Sequence, residues 1–166
     1  MFGIVIPKKP HNYRVIDEYV TRSAMPTSER NIKWLKKHGV TTIINFRRTG
    51  ALYHGGRERE VAEKYGMKYY HIPTDPKHPT EEQVEHFLDI VEGVEREGGH
   101  VHIHCSRGLD RTGAYSWIYK QKHGIGEMWE NEREMRKMGH DNLELPMLVN
   151  WIKDYLYKDW GGRKTL

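Results

Sequence analysis

The sequence predicts a single α/β domain with a central, mostly parallel sheet flanked by helices. Three observations predict it. Residues 40–46, 67–72 and 100–104 are short β-rich runs, and the stretches between and after them place apolar residues at helical spacing. The order is strand, helix, strand, helix, strand, then helices, the alternation that builds parallel sheets. The 166 residues suffice for one core and contain no internal repeat, low-complexity segment or convincing linker, so residues 1–166 are read as one domain.

Residues 1–12 form an extended lead-in, because Pro7 and Pro10 hold the backbone out of the helical region. Residues 13–22 carry two β-rich pieces around Asp17-Glu18 and read as a short hairpin or an edge strand. Ser23-Ala24-Met25-Pro26 is a turn. Thr27 or Ser28 is placed to cap a helix reaching Lys37 or His38, with Ile32 and Leu35 inward and Gly39 ending it. The β-branched run 40–46 has the pattern of a strand covered on both faces, and Arg47-Arg48 follow its carboxyl end.

A loop at 50–56 precedes a short polar helix at 57–65, which Gly66 ends; 67–72 is the next strand. Pro73, Pro76 and Pro79 stiffen the loop that carries Asp75, Lys77 and His78. Thr80 and Gln83 make a capping box for a helix whose inward stripe is Val84, Phe87, Leu88, Val91 and Val94. Gly98-Gly99 stop it, and the strand 100–104 follows. A helix from Thr112 to about His123 buries Ala114, Trp117 and Ile118. Two more helices complete the domain. The first, near 127–138, turns Met128, Trp129, Met135 and Met138 inward. The second, near 144–158, turns Leu145, Leu148, Val149, Ile152 and Leu156 inward. The Trp and Met residues of these helices are read as core. Residues 161–166 are a basic tail.

Composition narrows the function. The 27 Lys+Arg against 23 Asp+Glu give a formal charge of +4. The basic residues are dispersed among acids, which suits a small anionic ligand and argues against a nucleic-acid partner. No run reaches the roughly eighteen apolar residues of a membrane span. The single cysteine, Cys105, excludes an intrachain disulfide and a Cys-rich zinc site, and points to a reducing, cytoplasmic setting. No signal peptide is read at the N-terminus, and a monomer is expected.

That cysteine lies in His104-Cys105-Ser106-Arg107-Gly108-Leu109-Asp110-Arg111-Thr112-Gly113, between a strand and a helix start. Six residues curling around one point can aim successive backbone N–H groups inward as an anion nest. The helix N-terminus adds partial positive charge. Gly108 permits a conformation that a β-carbon would hinder, and Arg111 can fork onto two phosphate oxygens. The same field favours the thiolate of Cys105, a nucleophile needing no separate base. Thr112 sits where its hydroxyl could bond the sulfur, and His104 could orient the loop through backbone contacts. The plain alternative is an inert buried thiol.

In parallel sheets ligands bind outside the carboxyl ends of the strands. That puts Arg47-Arg48, the Asp75 loop and the Cys105 loop on one rim. Expelling an alkoxide or phenolate needs a proton donor. Asp75 is placed for it, on a stiff loop after the strand expected to neighbour the nucleophile. Asp110 competes, but inside the loop it could instead brace the backbone or meet substrate or water. Arg47, Lys77, His78 and Arg107 could widen a positive rim. His100, His102 and His104 share a strand face and alternating histidines can bind zinc. With no acidic ligand obvious nearby, no metal and no cofactor are expected.

These residues together resemble the cysteine-based protein tyrosine phosphatase superfamily, in its compact dual-specificity-phosphatase-like branch. The resemblance rests on the loop motif. It also rests, in the family's order, on Arg22-Ser23-Ala24-Met25-Pro26, on residues 39–47, and on Asp75 before Pro79-Thr80-Glu81-Glu82-Gln83. It implies a metal-independent phosphomonoester hydrolase with Cys105 as nucleophile, Arg111 and residues 106–110 around the phosphate, and Asp75 as general acid. A phosphorylated protein or a small phosphorylated molecule is the expected substrate, phosphotyrosyl protein first. Arg107 resembles forms acting on inositol pyrophosphates, whereas Leu109 replaces the lysine common in those and in phosphoinositide-type loops. An inositol phosphate or phosphoinositide phosphatase is therefore the alternative enzyme, and a catalytically inactive phosphate-binding module the alternative outside enzymes.

Overall fold

A computed structural model describes residues 3–48, 57–138 and 144–159. The expected loop at 50–56, the tail at 161–166 and the first two residues of the lead-in lie outside the described residues. Strands β1 (Arg14–Val15), β2 (Val20–Ser23), β3 (Thr42–Asn45), β4 (Lys68–His71) and β5 (Val101–His104) form one sheet in the order β1-β2-β5-β3-β4. Only β1 runs antiparallel; β2, β5, β3 and β4 are parallel.

The hairpin expected at 13–22 is present, turned by Asp17, whose Oδ1 accepts from the N–H groups of Tyr19 and Val20. Its second strand is interior rather than an edge, because β5 pairs alongside it. The strand before the Asp75 loop is β4, and β4 pairs with β3, not with β5. The expectation that Asp75 follows the neighbour of the nucleophile's strand is therefore corrected: β3 lies between.

Helices α1 (Glu29–Lys37) and α2 (Glu58–Lys64) cover one face of the sheet. Ile32, Leu35, Val61 and Ala62 pack there on Ile43 and Tyr69. Helices α3 (Glu81–Arg96), α4 (Asp110–Lys122), α5 (Met128–Met138) and α6 (Leu145–Asp159) cover the other. Ile44, Val101 and Ile103 face them. Adjacent Ile43 and Ile44 thus enter different cores, as the two-residue period of a strand demands. The capping box of α3 is made as expected by Thr80 and Gln83. At α1 the expectation changes: Ser28 occupies the cap position without a side-chain bond, and Asn31 Oδ1 instead accepts from the Thr27 N–H.

Helix α4 is central, with Ala114, Tyr115, Trp117, Ile118 and Tyr119 all buried. It starts at Asp110, two residues earlier than expected. The core expectation fails at Trp129 and Met147, which are 62% and 49% exposed. On helix α5 Met135 is buried as expected and Asn131 turns inward with it; Asn131 Nδ2 donates to Gln121 Oε1 on α4 and to the Ile125 carbonyl. Among the described residues no helix is long and apolar enough to cross a membrane.

One aromatic stack fixes the sheet to its helices just below the rim. Phe46 lies flat on Tyr115 of α4 with centroids 3.7 Å apart, and both rings meet the edge of Phe87 of α3. The two edge contacts on Phe87 add to the burial of these large rings. Replacing Phe46 with Ala is expected to cost about 3–5 kcal/mol, checked by urea unfolding of wild type and variant.

Candidate active site

The last residues of the parallel strands form one row, Ser23, His104, Asn45 and His71, set by register. Beyond that row lie the segments expected to share a rim, and they do. Arg47 Nε donates to Ser106 Oγ at 3.1 Å, and Arg111 Nη2 donates to the same oxygen at 3.2 Å. Arg111 Nη1 lies 3.4 Å from the Thr74 carbonyl, so the loop before Asp75 leans against the start of α4.

The loop from Cys105 to Leu109 is held from outside, carbonyl by carbonyl. The Cys105 carbonyl accepts from His104 Nδ1 at 3.1 Å, that of Ser106 from the Met25 N–H at 3.1 Å, and that of Arg107 from Asn12 Nδ2 at 3.2 Å. The Gly108 carbonyl accepts from Arg22 Nη2 at 2.6 Å, and the Leu109 carbonyl from the Gly113 N–H at 2.8 Å. In a planar trans peptide the N–H points opposite to the C=O. Five carbonyls tied outward therefore turn the amides of residues 106–110 toward the concave side. That side is a pocket of about 240 Å³ walled by Pro76 and by Cys105, Ser106, Arg107, Leu109, Asp110 and Arg111. Cys105 is a free thiol only 3% exposed.

Gly108 shows why a glycine stands here. Its φ is +75°, and a β-carbon would sit 2.5 Å from the Ser23 carbonyl oxygen. The loop thus packs directly on the end of β2. Asn12 also has positive φ, 56°, a conformation asparagine tolerates better than most residues, and this aims its amide at Arg107. Arg22 is 4% exposed and carries an unpartnered Nε; burial pushes its pKa down, while Glu134 and Cys105 oppose that shift. The sequence expectations do not include Asn12 or Glu58, and they include Arg22 only within the Arg22–Pro26 stretch. Nothing local marks Asn12 or Glu58, since each acts through a partner distant in sequence.

His104 meets the Cys105 carbonyl as expected, and its other ring nitrogen meets the buried carboxylate of Glu58. Thr112 is corrected. It is fully buried and its hydroxyl has no hydrogen-bond partner, so the bond to the cysteine sulfur is not made. Because α4 begins at Asp110, Thr112 already lies inside the first helical turn. Asp110 lines the pocket from that turn, where the helix N-terminus favours a carboxylate.

Asp75 is on the rim but is not turned to the sulfur. Its Oδ1 accepts from the Lys77 N–H at 2.8 Å and its Oδ2 from Arg48 Nη2 at 2.5 Å. The Lys77 N–H above all, and Arg48 with it, hold the Asp75 carboxyl below the usual carboxylate range. The pair is exposed, 62% for Arg48 and 47% for Asp75, so solvent weakens it. Of the accessory residues, Lys77 is exposed and His78 stacks on Trp151 of α6 with centroids 5.4 Å apart; neither walls the pocket. The zinc reading of the alternating histidines finds His102 between two hydroxyls, Thr21 Oγ1 at 2.9 Å and Ser23 Oγ at 2.7 Å. Burial pushes its pKa well down, so the ring is neutral.

Residues 11–147 match the family described as DSP-PTPase phosphatase fused to NAD+ kinase. No curated protein matches the chain in sequence. Similar solved structures include a DUF442 protein from Shewanella putrefaciens, 22% identical, covering 88% of this chain and 93% of that one, with a TM-score of 0.71. TpbA of P. aeruginosa in complex with pTyr is 19% identical, covers 87% and 90%, and has a TM-score of 0.68. The core catalytic domain of a PP-IP phosphatase of S. cerevisiae is 20% identical, covers 94% and 96%, and has a TM-score of 0.67.

The packing at Gly108 gives a direct test. Gly108→Ala must move the loop off β2 or strain it at positive φ. It is expected to weaken binding of vanadate or inorganic phosphate at least tenfold, on the order of 1.4 kcal/mol, as read by isothermal titration.

Proposed function

The chain belongs to the DSP-PTPase phosphatase family, and from that membership we propose that it hydrolyses phosphomonoesters without a metal, through a phosphocysteine on Cys105. The observation that carries the proposal is the set of five loop carbonyls tied outward around the buried thiol. Amides facing the other way meet the three equatorial oxygens of a phosphoryl group as charge spreads onto them, and positioning of this kind dominates phosphoryl transfer. Arg111 enters the same oxygens from the first turn of α4.

The Cys105 thiolate attacks phosphorus in line, the S–P bond forms and the bond to the leaving oxygen breaks. Asp75 gives that oxygen a proton. Water then attacks phosphorus, Asp75 takes its proton, and the S–P bond breaks to release phosphate and the thiolate. For the first step Asp75 must carry a proton and face the pocket, so the contact with Arg48 has to open. The direction of its shift fixes the consequence: a carboxyl held low in the free protein loses its proton at lower pH, which brings the alkaline limb of kcat/KM down in pH. The protein is assigned to a reducing, cytoplasmic setting, where a single nucleophilic thiol persists as such.

Phosphotyrosyl protein is the first substrate reading; the structural relative from P. aeruginosa is complexed with pTyr. An inositol phosphate is the second, favoured by two guanidinium groups, Arg47 and Arg111, converging on Ser106 Oγ at the pocket edge. Side-by-side turnover of a phosphotyrosyl peptide, a phosphoseryl peptide and inositol phosphates separates them.

Cys105→Ser is expected to abolish turnover of an aryl phosphate while leaving the fold intact by circular dichroism. Asp75→Asn is expected to lower kcat/KM by on the order of 10²–10⁴ for a poor leaving group and far less for a good one. Arg48→Met is expected to move the alkaline limb of kcat/KM upward in pH, but not fully to that of a free carboxyl, since the Lys77 N–H remains.

A further inference from the structure

Behind the loop, on the side away from the pocket, a polar chain runs through the protein interior. Asn45 Nδ2 of β3 donates to Tyr69 Oη of β4 at 2.9 Å, and Tyr69 donates to Glu58 Oε2 of α2 at 2.9 Å. Glu58 Oε1 meets His104 Nε2, and His104 Nδ1 meets the Cys105 carbonyl. Asn45 and His104 are fully buried, Glu58 is 1% exposed and Tyr69 8%. A carboxylate in so dry a place is costly unless paired and hydrogen-bonded. Both conditions are met here, by Tyr69 of β4 and His104 of β5.

The chemistry of the chain fixes where its protons stand. A carbonyl only accepts, so His104 Nδ1 carries hydrogen. Tyr69 accepts from Asn45 and so gives its own proton to Glu58. One further proton is shared between Glu58 Oε1 and His104 Nε2. With that proton on the ring, His104 is an imidazolium whose positive end lies against the Cys105 backbone and whose countercharge lies one residue further back. We infer that Glu58 is a positioning residue for the nucleophile: it fixes His104 as the donor to the Cys105 carbonyl and sustains positive charge behind the thiolate. The inference rests on Cys105 being the nucleophile.

The surroundings leave Glu58 as the counterion of the ring. From β5 itself, His102 lies on the same face and is neutral. From α2, Arg59 is over the outer face of the Tyr69 ring, 4.9 Å from its centroid, and donates to the Tyr69 carbonyl rather than to Glu58. From β4, Tyr69 contributes a proton and no charge, burial having pushed its pKa up. From β3, Asn45 is uncharged.

Glu58→Gln separates charge from geometry. Its amide can donate to His104 Nε2 and its carbonyl can accept from Tyr69, so His104 stays in place but becomes neutral. Tyr69→Phe keeps the Glu58 carboxylate but removes one of its donors, which draws the shared proton toward Glu58. The readout is the pH midpoint of Cys105 alkylation by iodoacetamide, which needs no turnover, alongside kcat/KM for an aryl phosphate. The midpoint is expected to rise in Glu58→Gln, by less than the ~1 pH unit that loss of a lone neighbouring charge brings, because the countercharge is lost with it. A smaller rise in the same direction is expected in Tyr69→Phe, and the acid limb of kcat/KM should follow the midpoint in both. A wild-type midpoint in a folded Glu58→Gln protein overturns the inference; should that variant not fold, a wild-type midpoint in Tyr69→Phe does so. A wild-type protein with no turnover overturns the phosphatase mechanism instead, and the alkylation midpoints still decide the role of Glu58.

Discussion

A loop that turns its N–H groups to one side must dispose of the carbonyls on the other edge of the same peptides. That constraint organises this protein. Each of the carbonyls from Cys105 to Leu109 finds a donor behind the loop, and the donors come from five places: the lead-in, β2, the turn after β2, the end of β5 and the first turn of α4. None of these bonds touches a substrate. Together they decide which way the loop faces, and they do so before any ligand arrives, which is what preorganisation requires.

The fold supplies those donors by register. Ser23, His104, Asn45 and His71 end their strands in one row, so the segment after each strand emerges at the same rim. The aromatic stack of Phe46, Phe87 and Tyr115 anchors that rim to α3 and α4. Thr74 ties the Asp75 loop to the same stack: its N–H donates to the Phe46 carbonyl and its hydroxyl pairs with Tyr115. The loop that carries Asp75 is therefore fixed at its base, and at its exposed tip Arg48 and the Lys77 N–H hold the Asp75 carboxylate.

What the sequence made legible was local. The run from His100 to Gly113 carries a strand, a C-x5-R spacing and a helix start within fourteen residues, and each signal is periodic or a fixed offset. The α/β alternation and the capping box at Thr80 are of the same kind. What stayed hidden acts across long separations: Arg22 reaches Gly108 over 86 residues and Asn12 reaches Arg107 over 95. Glu58 lay in a helix whose composition is that of a solvated surface, and only the fold shows that its first carboxylate points inward. Trp129 failed for a related reason. Helical spacing identifies an apolar stripe, but α4 selects which residues of α5 it covers, and it selects Asn131 and Met135.

In the proposed mechanism the buried thiol of Cys105 carries the phosphoryl group during turnover. Rapid acid quench of the wild-type protein turning over an aryl phosphate, followed by peptide mass spectrometry, tests it most directly. Phosphate should appear on the peptide containing Cys105, at a level that rises when Asp75→Asn slows the second step. Turnover at the same rate with no phosphate on Cys105 at any quench time would contradict it.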